Sequence, residues 1–221
     1  MKPNRLITLA VTAGIVAAVA GCSNNSPGTT ASTTPSGTAT HTTVSTPAHQ
    51  VSYSSQIVLP FDKYINHLAG VAVDTAGNVY VLDSYYGQLW KLAPGASTQT
   101  TPVITGLYRP FHVAVDSWGN LYVTDEFNDR VLKLGVGASA PAVLPFTDLK
   151  RPDGVAVDAA GNLYVADSGR DRVLKLAAGT SAATVLPFTG LNEPGDVAVD
   201  TTGNVYLLDE LAFRVLKLPA H

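Results

Sequence analysis

The chain has 221 residues with one cysteine, and its 14 basic and 17 acidic residues give a formal net charge of −3. A lone cysteine excludes an intrachain disulfide, so the folded part must be held by its apolar core. The mildly acidic balance makes a nucleic-acid surface a poor fit, while 46% hydrophobic residues suffice for a packed domain.

The first segment reads as an export signal. Lys2 and Arg5 form a basic n-region, and LITLAVTAGIVAAVAG is an apolar h-region too short to span a bilayer comfortably. It runs into Val19-Ala20-Gly21-Cys22, which resembles the lipobox of bacterial lipoproteins. That resemblance implies cleavage after Gly21, diacylglycerol on the Cys22 sulfur and N-acylation of the new terminus. An ordinary secretory signal is the alternative. Each buried acyl methylene contributes about 0.8 kcal/mol, so several acyl chains hold a protein at a membrane without a transmembrane helix. The expectation is a signal peptide over 1–21 and a mature protein lipid-anchored on the extracytoplasmic face of the cell membrane.

Residues 22–52 change composition. SNNSPGTTASTTPSGTATHTTVSTPAH is mostly Ser, Thr, Pro and Gly, with Val44 its only large aliphatic. Such a stretch cannot bury enough surface to offset chain entropy and is expected to be a disordered tether reaching roughly 80 Å when extended. Its Thr, Ser and Pro density also suits O-glycosylation.

Residues 53–221 are repetitive. GVAVDTAGNVYVLD, HVAVDSWGNLYVTD, GVAVDAAGNLYVAD and DVAVDTTGNVYLLD begin at Gly70, His112, Gly154 and Asp196, always 42 residues apart. Periods of this length point to propellers or solenoids. In the third copy the expected strands are Val155 to Val157, Leu163 to Ala166, Val173 to Leu176 and Thr184 to Phe188. Asp158-Ala-Ala-Gly161-Asn162 forms a tight hairpin between the first two. Both faces are apolar, Leu163 and Val165 on one side, Tyr164 and Ala166 on the other, so each sheet must be sandwiched between neighbours. No helical segment is available, which leaves other copies to do the covering. The reading is all-β: a β-propeller of four blades, each of four antiparallel strands.

P-x-G-V-A-V-D-x-x-G-N-L-Y-V-x-D, followed by R-V-L-K-L and V-L-P-F-T-G-L, resembles the NHL repeat. It is most similar to the extracytoplasmic propeller of mycobacterial receptor-type serine/threonine kinases. Propellers of this family are mostly interaction modules, commonly of five or six blades; four copies are counted here. The chain carries no kinase motif, so no phosphotransfer is carried over from the resemblance.

The last copy ends at its third strand, Leu216-Lys217-Leu218, while Gln56-Ile57-Val58-Leu59-Pro60-Phe61 matches a fourth strand without a blade. The N-terminal segment is therefore expected to complete the last blade and close the circle. The competing reading is an open arc that closes by pairing with a second chain, a homo-oligomer.

Residues repeated in every copy read as scaffold. Asp83, Asp125, Asp167 and Asp209 close the second strand, and Arg130, Arg172 and Arg214 follow three of them by five residues, placed for bidentate pairing. Asp74, Asp116, Asp158 and Asp200 belong to the turns, and Lys91, Lys133, Lys175 and Lys217 lay their stems along the blade. The variable positions precede the innermost strand or join strands two and three, and strand alternation brings both sets to one end. There Tyr85, Tyr86, Tyr108, Arg109, Phe111 and Phe127 form a candidate contact patch for a protein or cell-envelope ligand, unless several rings only plug the loops. Trp118, in a turn at the other end, is a weaker candidate.

His112 and Asp196 are expected to face each other across the axis near Asp153, and the enzyme alternative is a metal-assisted hydrolase or lyase at that mouth. Two such ligands fall short of a metal site, and no Ser-His-Asp order, phosphate loop or thiol nucleophile is present. The reading is therefore a non-enzymatic binding module without cofactor or metal. Arg109, Lys150, Arg151 and Arg170 at the loop end are offset by Glu126, Asp129, Asp153, Asp171, Glu193 and Asp196, which disfavours nucleic acid.

Overall fold

The computed structural model describes residues 55–61, 65–100 and 103–221. The signal peptide, Cys22 and the tether up to residue 52 lie outside the described residues. All sheets belong to the unit that holds Pro60–His221.

Among the described residues fourteen strands form four antiparallel sheets. Blade 1 contains β1 (Leu68–Val73), β2 (Val79–Asp83) and β3 (Gln88–Leu92). Blade 2 contains β4 (Pro110–Val115), β5 (Leu121–Asp125), β6 (Arg130–Leu134) and the short outer β7 (Ala142–Val143). Blade 3 contains β8 (Pro152–Val157), β9 (Leu163–Asp167), β10 (Arg172–Leu176) and the outer β11 (Ala183–Val185). Blade 4 contains β12 (Pro194–Val199), β13 (Val205–Asp209) and β14 (Arg214–Leu218). The expected strands are present. The inner one begins three residues earlier than the third copy suggested, and the outer one stops at Val185 rather than Phe188. In blade 1 the described residues of the outer segment show a bridge between Leu89 and Ile104.

The two-sided apolar pattern has the purpose assigned to it. Leu163 and Val165 pack with Ala114, Tyr122 and Val131 of blade 2, whereas Tyr164 and Ala166 pack with Val197, Val205 and Leu207 of blade 4. An equivalent cluster joins Tyr80, Leu82 and Leu89 of blade 1 to Val113, Leu121 and Val123 of blade 2. Each fully buried Val or Leu in these layers contributes about 1.5–3 kcal/mol. The core is thus three slabs between successive blades. Among the described residues no such slab joins blade 4 to blade 1.

One expectation needs correction. Residues 55–61 carry no strand, and among the described residues blade 4 has three strands, so the fourth strand expected from the N-terminal segment is not formed. The outer strands of blades 2 and 3 are two and three residues long and are reached by short loops from the strand they pair with. So few ladder bonds suffice over a short loop, but the N-terminal segment would have to close a loop of most of the chain for the same gain.

Candidate functional site

The turns at one end are rigid and alike. Asp158 Oδ1 accepts the Ala160 and Asn162 backbone N–H groups, and Oδ2 accepts Asn162 Nδ2 and the Tyr164 hydroxyl. Asp74, Asp116 and Asp200 repeat the pattern. Burial and the facing Asp74 push the Tyr80 phenol up to about 12. Trp118 is exposed at this end.

The other end holds the variable loops. Each second strand ends on a fully buried aspartate whose Oδ1 or Oδ2 accepts the backbone N–H of the residue seventeen earlier: Asn66 to Asp83, Tyr108 to Asp125, Lys150 to Asp167, Asn192 to Asp209. This clamp ties the loop before the inner strand to the hairpin after the second strand, so the two variable sets do meet. The expected bidentate ion pair is instead single. Arg130, Arg172 and Arg214 donate Nε to the aspartate Oδ2 at 2.7, 2.7 and 2.8 Å. The other oxygen is already occupied by the backbone amide, and Nη2 of Arg172 turns to the Asp148 carbonyl.

The loops are also braced from blade to blade. Asp129 accepts the Arg151 backbone N–H at 2.8 Å and Lys150 Nζ at 3.0 Å, and Asp171 accepts the Glu193 N–H at 2.7 Å. At the equivalent place in blade 1 stands Gly87, where a Cβ would lie 2.0 Å from the Leu107 carbonyl oxygen. Among the described residues the loop before blade 2 therefore has no carboxylate brace at this position; the Leu107 backbone N–H bonds the Gly87 carbonyl instead.

Tyr85, Tyr86, Tyr108 and Phe127 are all exposed. Tyr85 and Tyr86 meet edge to face with centroids 5.0 Å apart, Tyr108 and Phe127 likewise at 5.2 Å, and the Arg109 guanidinium sits 5.2 Å from the Phe127 centroid. Such contacts hold the rings in place while leaving their surface to solvent. Phe111 is half-buried and joins this patch only in sequence.

His112 and Asp196 form a different, deeper pair, with Asp153 buried on the first strand of the intervening blade 3. In all four blades the first strand slips register just here, between Leu68 and Val71, Pro110 and Val113, Pro152 and Val155, or Pro194 and Val197. Bulges re-aim side chains next to sites. His112 and Asp153 are buried, and His112 Nε2 lies 3.5 Å from Asp196 Oδ1. Gly154 permits this approach, since a Cβ there would come within 2.7 Å of the Asp196 Cα. His112 Nδ1 is buried with no hydrogen-bond partner among the described residues. No three His, Cys, Asp or Glu side chains converge as metal ligands among the described residues. Sequence reasoning missed a cleft lined by Lys150, Arg151, Ser168, Asp171, Asn192 and Glu193 between blades 3 and 4, because its walls are the bracing residues themselves.

Comparison with known proteins agrees with this architecture. Residues 149–176 match the NHL repeat. A stretch of 59 residues is 53% identical to the serine/threonine-protein kinase PknD of Mycobacterium tuberculosis, covering 25% of this chain and 9% of the kinase. Among solved structures, streptogramin B lyase superposes with a TM-score of 0.57 at 17% identity, covering 69% of this chain and 54% of that one. Virginiamycin B lyase from Staphylococcus aureus gives 0.56 at 12% identity, covering 72% and 57%. A chain of the nidogen/laminin complex gives 0.56 at 23% identity, covering 69% and 65%. At these identities the structural likeness speaks for the fold alone. The chain is an all-β propeller in which residues 149–176 match the NHL repeat, and a quarter of it resembles part of that mycobacterial kinase.

Proposed function

We propose that the chain is a binding module, lipid-anchored through Cys22 on the extracytoplasmic face of the cell membrane, whose loop-rich end takes a protein or cell-envelope ligand. The observation that carries this reading is two exposed edge-to-face pairs at the loop end, Tyr85 with Tyr86 and Tyr108 with Phe127, the second with Arg109 over the Phe127 ring. Rigid aromatic rings beside an arginine supply contact area at low entropic cost, which is why they dominate interface hot spots. Both pairs sit on loops clamped by Asp83 or Asp125, as binding loops on a rigid scaffold generally do.

Proximity labelling in the envelope identifies the partner, and Tyr85→Ala with Tyr108→Ala tests the patch. The double variant is expected to lose capture of that partner by at least about tenfold while its thermal midpoint stays within a few degrees of the parent. A partner retained by the double variant would overturn the assignment. The contact of His112 with Asp196 favours a second reading, a metal-assisted hydrolase or lyase at the channel mouth. Stoichiometric metal in the purified chain would support that reading over the first.

A further inference from the structure

Three blade junctions show what each face of a blade packs against, and a fourth pair of faces is left over. On the face turned to the next blade, Leu82 and Leu89, Thr124 and Val131, then Ala166 and Val173 are each 0% exposed. One repeat later the same positions are Leu208 and Val215, at 40% and 67% exposed. Ala198, whose counterparts Ala72, Ala114 and Ala156 are buried, is exposed as well. At the other end of the chain the complementary face is incompletely covered. Val71, Val79 and Trp90 of blade 1 are half-buried and Val73 is exposed, whereas Val113, Leu121 and Leu132 of blade 2 are buried.

The loop brace has the same loose end. Asp129 and Asp171 reach the loop of the following blade. In blade 4 their position belongs to Phe213, which is 92% exposed and holds a φ of 53°. A bulky apolar side chain in the left-handed region, turned into water, is unusual without a contact to stabilise it. Counting on by repeats, its partner in a next blade 1 would be the position of His67, which is itself exposed.

We propose that the free face of blade 4 docks on the free face of blade 1 in a second copy of the chain, and reciprocally, so that two chains make one eight-bladed ring. The occupant follows from the junctions already described. The surface that fits the forward face of such a blade is the backward face of another, seen three times in this chain and left partly open on its own blade 1, where Val81 and Leu92 are buried but Val73 is exposed. The two free faces differ from one another, so each must meet the opposite face of its partner. Two copies related by a two-fold axis satisfy both at once and leave no end to grow a filament. Eight blades fall within the four to eight of known propellers.

Sedimentation equilibrium of the full chain in density-matched detergent tests this, with a dimer expected at micromolar concentration. Val215→Glu and Val73→Glu should each raise the dissociation constant at least about a hundredfold, because each spoils both junctions of the dimer. Mixing the two variants should restore a heterodimer, since a mixed pair keeps one native junction. Far-UV circular dichroism verifies that both stay folded, and Phe213→Ala, which alters a side chain outside any core, should weaken the dimer about tenfold by itself. A chain that is monomeric throughout, as when its own residues cover the face, would overturn the proposal. So would a dimer indifferent to Val215→Glu, or two folded variants that fail to rescue one another, the mark of like faces pairing.

Discussion

Asp158 accepts four hydrogen bonds within its own hairpin, and the consequence is electrostatic. Burial raises its pKa, but the bonds from Asn162, Tyr164 and Ala160 outweigh that, holding the carboxyl below the usual range. Asp74 is lowered in the same way, and Asp200 is lowered chiefly by the Asn204 and Thr202 side chains. A carboxylate lowered in the folded state contributes stability that is present above its unfolded value of about 3.9 and is lost as pH falls through the folded value. Asp167 runs the other way: burial dominates and raises it despite Arg172, so its contribution favours the fold at low pH and fades as pH rises. Three turns against one buried acid should make the thermal midpoint drop steeply below about pH 4. Asp158→Asn, whose amide oxygen can still accept from the turn, should make that drop shallower; an unchanged slope in a pH series of melting curves would count against the turns as its source. The lysines hold another residue-scale result. Lys91, Lys133, Lys175 and Lys217 do lie along the blade, but each ends over the face of the tyrosine it opposes across the strands, at 5.7, 5.4, 5.2 and 5.3 Å. The pairing of Tyr164 with Lys175 is a matter of register, which the hairpin spacing already contains.

Within a blade, the aspartate closing the second strand does more than its arginine. Asp83 has no arginine partner, yet accepts the backbone N–H groups of Asn66, Tyr85 and Tyr86. Asp125 accepts Tyr108 N–H, Asn128 Nδ2 and Arg130 Nε while fully buried, whereas the Arg130 side chain is about a third exposed. Asp125→Ala should therefore cost about 3 kcal/mol in chemical denaturation, and Arg130→Gln about 1 kcal/mol or less. Equal losses would mean that the ion pair, not the clamp, is what matters. This is the scale at which sequence was most informative. Alternating Leu163, Tyr164, Val165 and Ala166 declared a sheet covered on both faces, and the Asp-Gly-Asn turns located its hairpins. The bulge at the start of each first strand was not read, although Pro110, Pro152 and Pro194, which lack a ladder donor, stand at it in three of the four copies. The single geometry of the arginine pairs was hidden, since the competing backbone amide comes from seventeen residues away.

Across the described residues, cohesion runs between neighbouring blades: an apolar slab at each of the three junctions and a carboxylate brace at the second and third. Stability in such an array is a sum of blade and junction contributions. Blades 2 and 3 have two junctions each, so in hydrogen exchange their central strands β5 and β9 should be protected longest, and β13 less. Equal protection of all three in the monomeric Val215→Glu variant would contradict the nearest-neighbour account. The N-terminal closing strand failed as an expectation for the same reason: a string match located a fourth strand without showing whether a blade stood nearby to receive it. The candidate patch was legible as a set of aromatic residues at one end, but which of them reach solvent depended on packing. Phe111 turned partly inward while Tyr85 and Tyr108 did not.

Because the copies recur at 42 residues without insertion, each brace and clamp is an arithmetic offset: seventeen within a blade, twenty-two to the next. Length can therefore change only in quanta. Duplicating or excising one whole period at a blade boundary leaves every surviving offset intact, while a single residue gained inside a period shifts carboxylates off the amides they hold. An ancestor of such a chain could lengthen by recombination between its own copies and inherit a working joint each time.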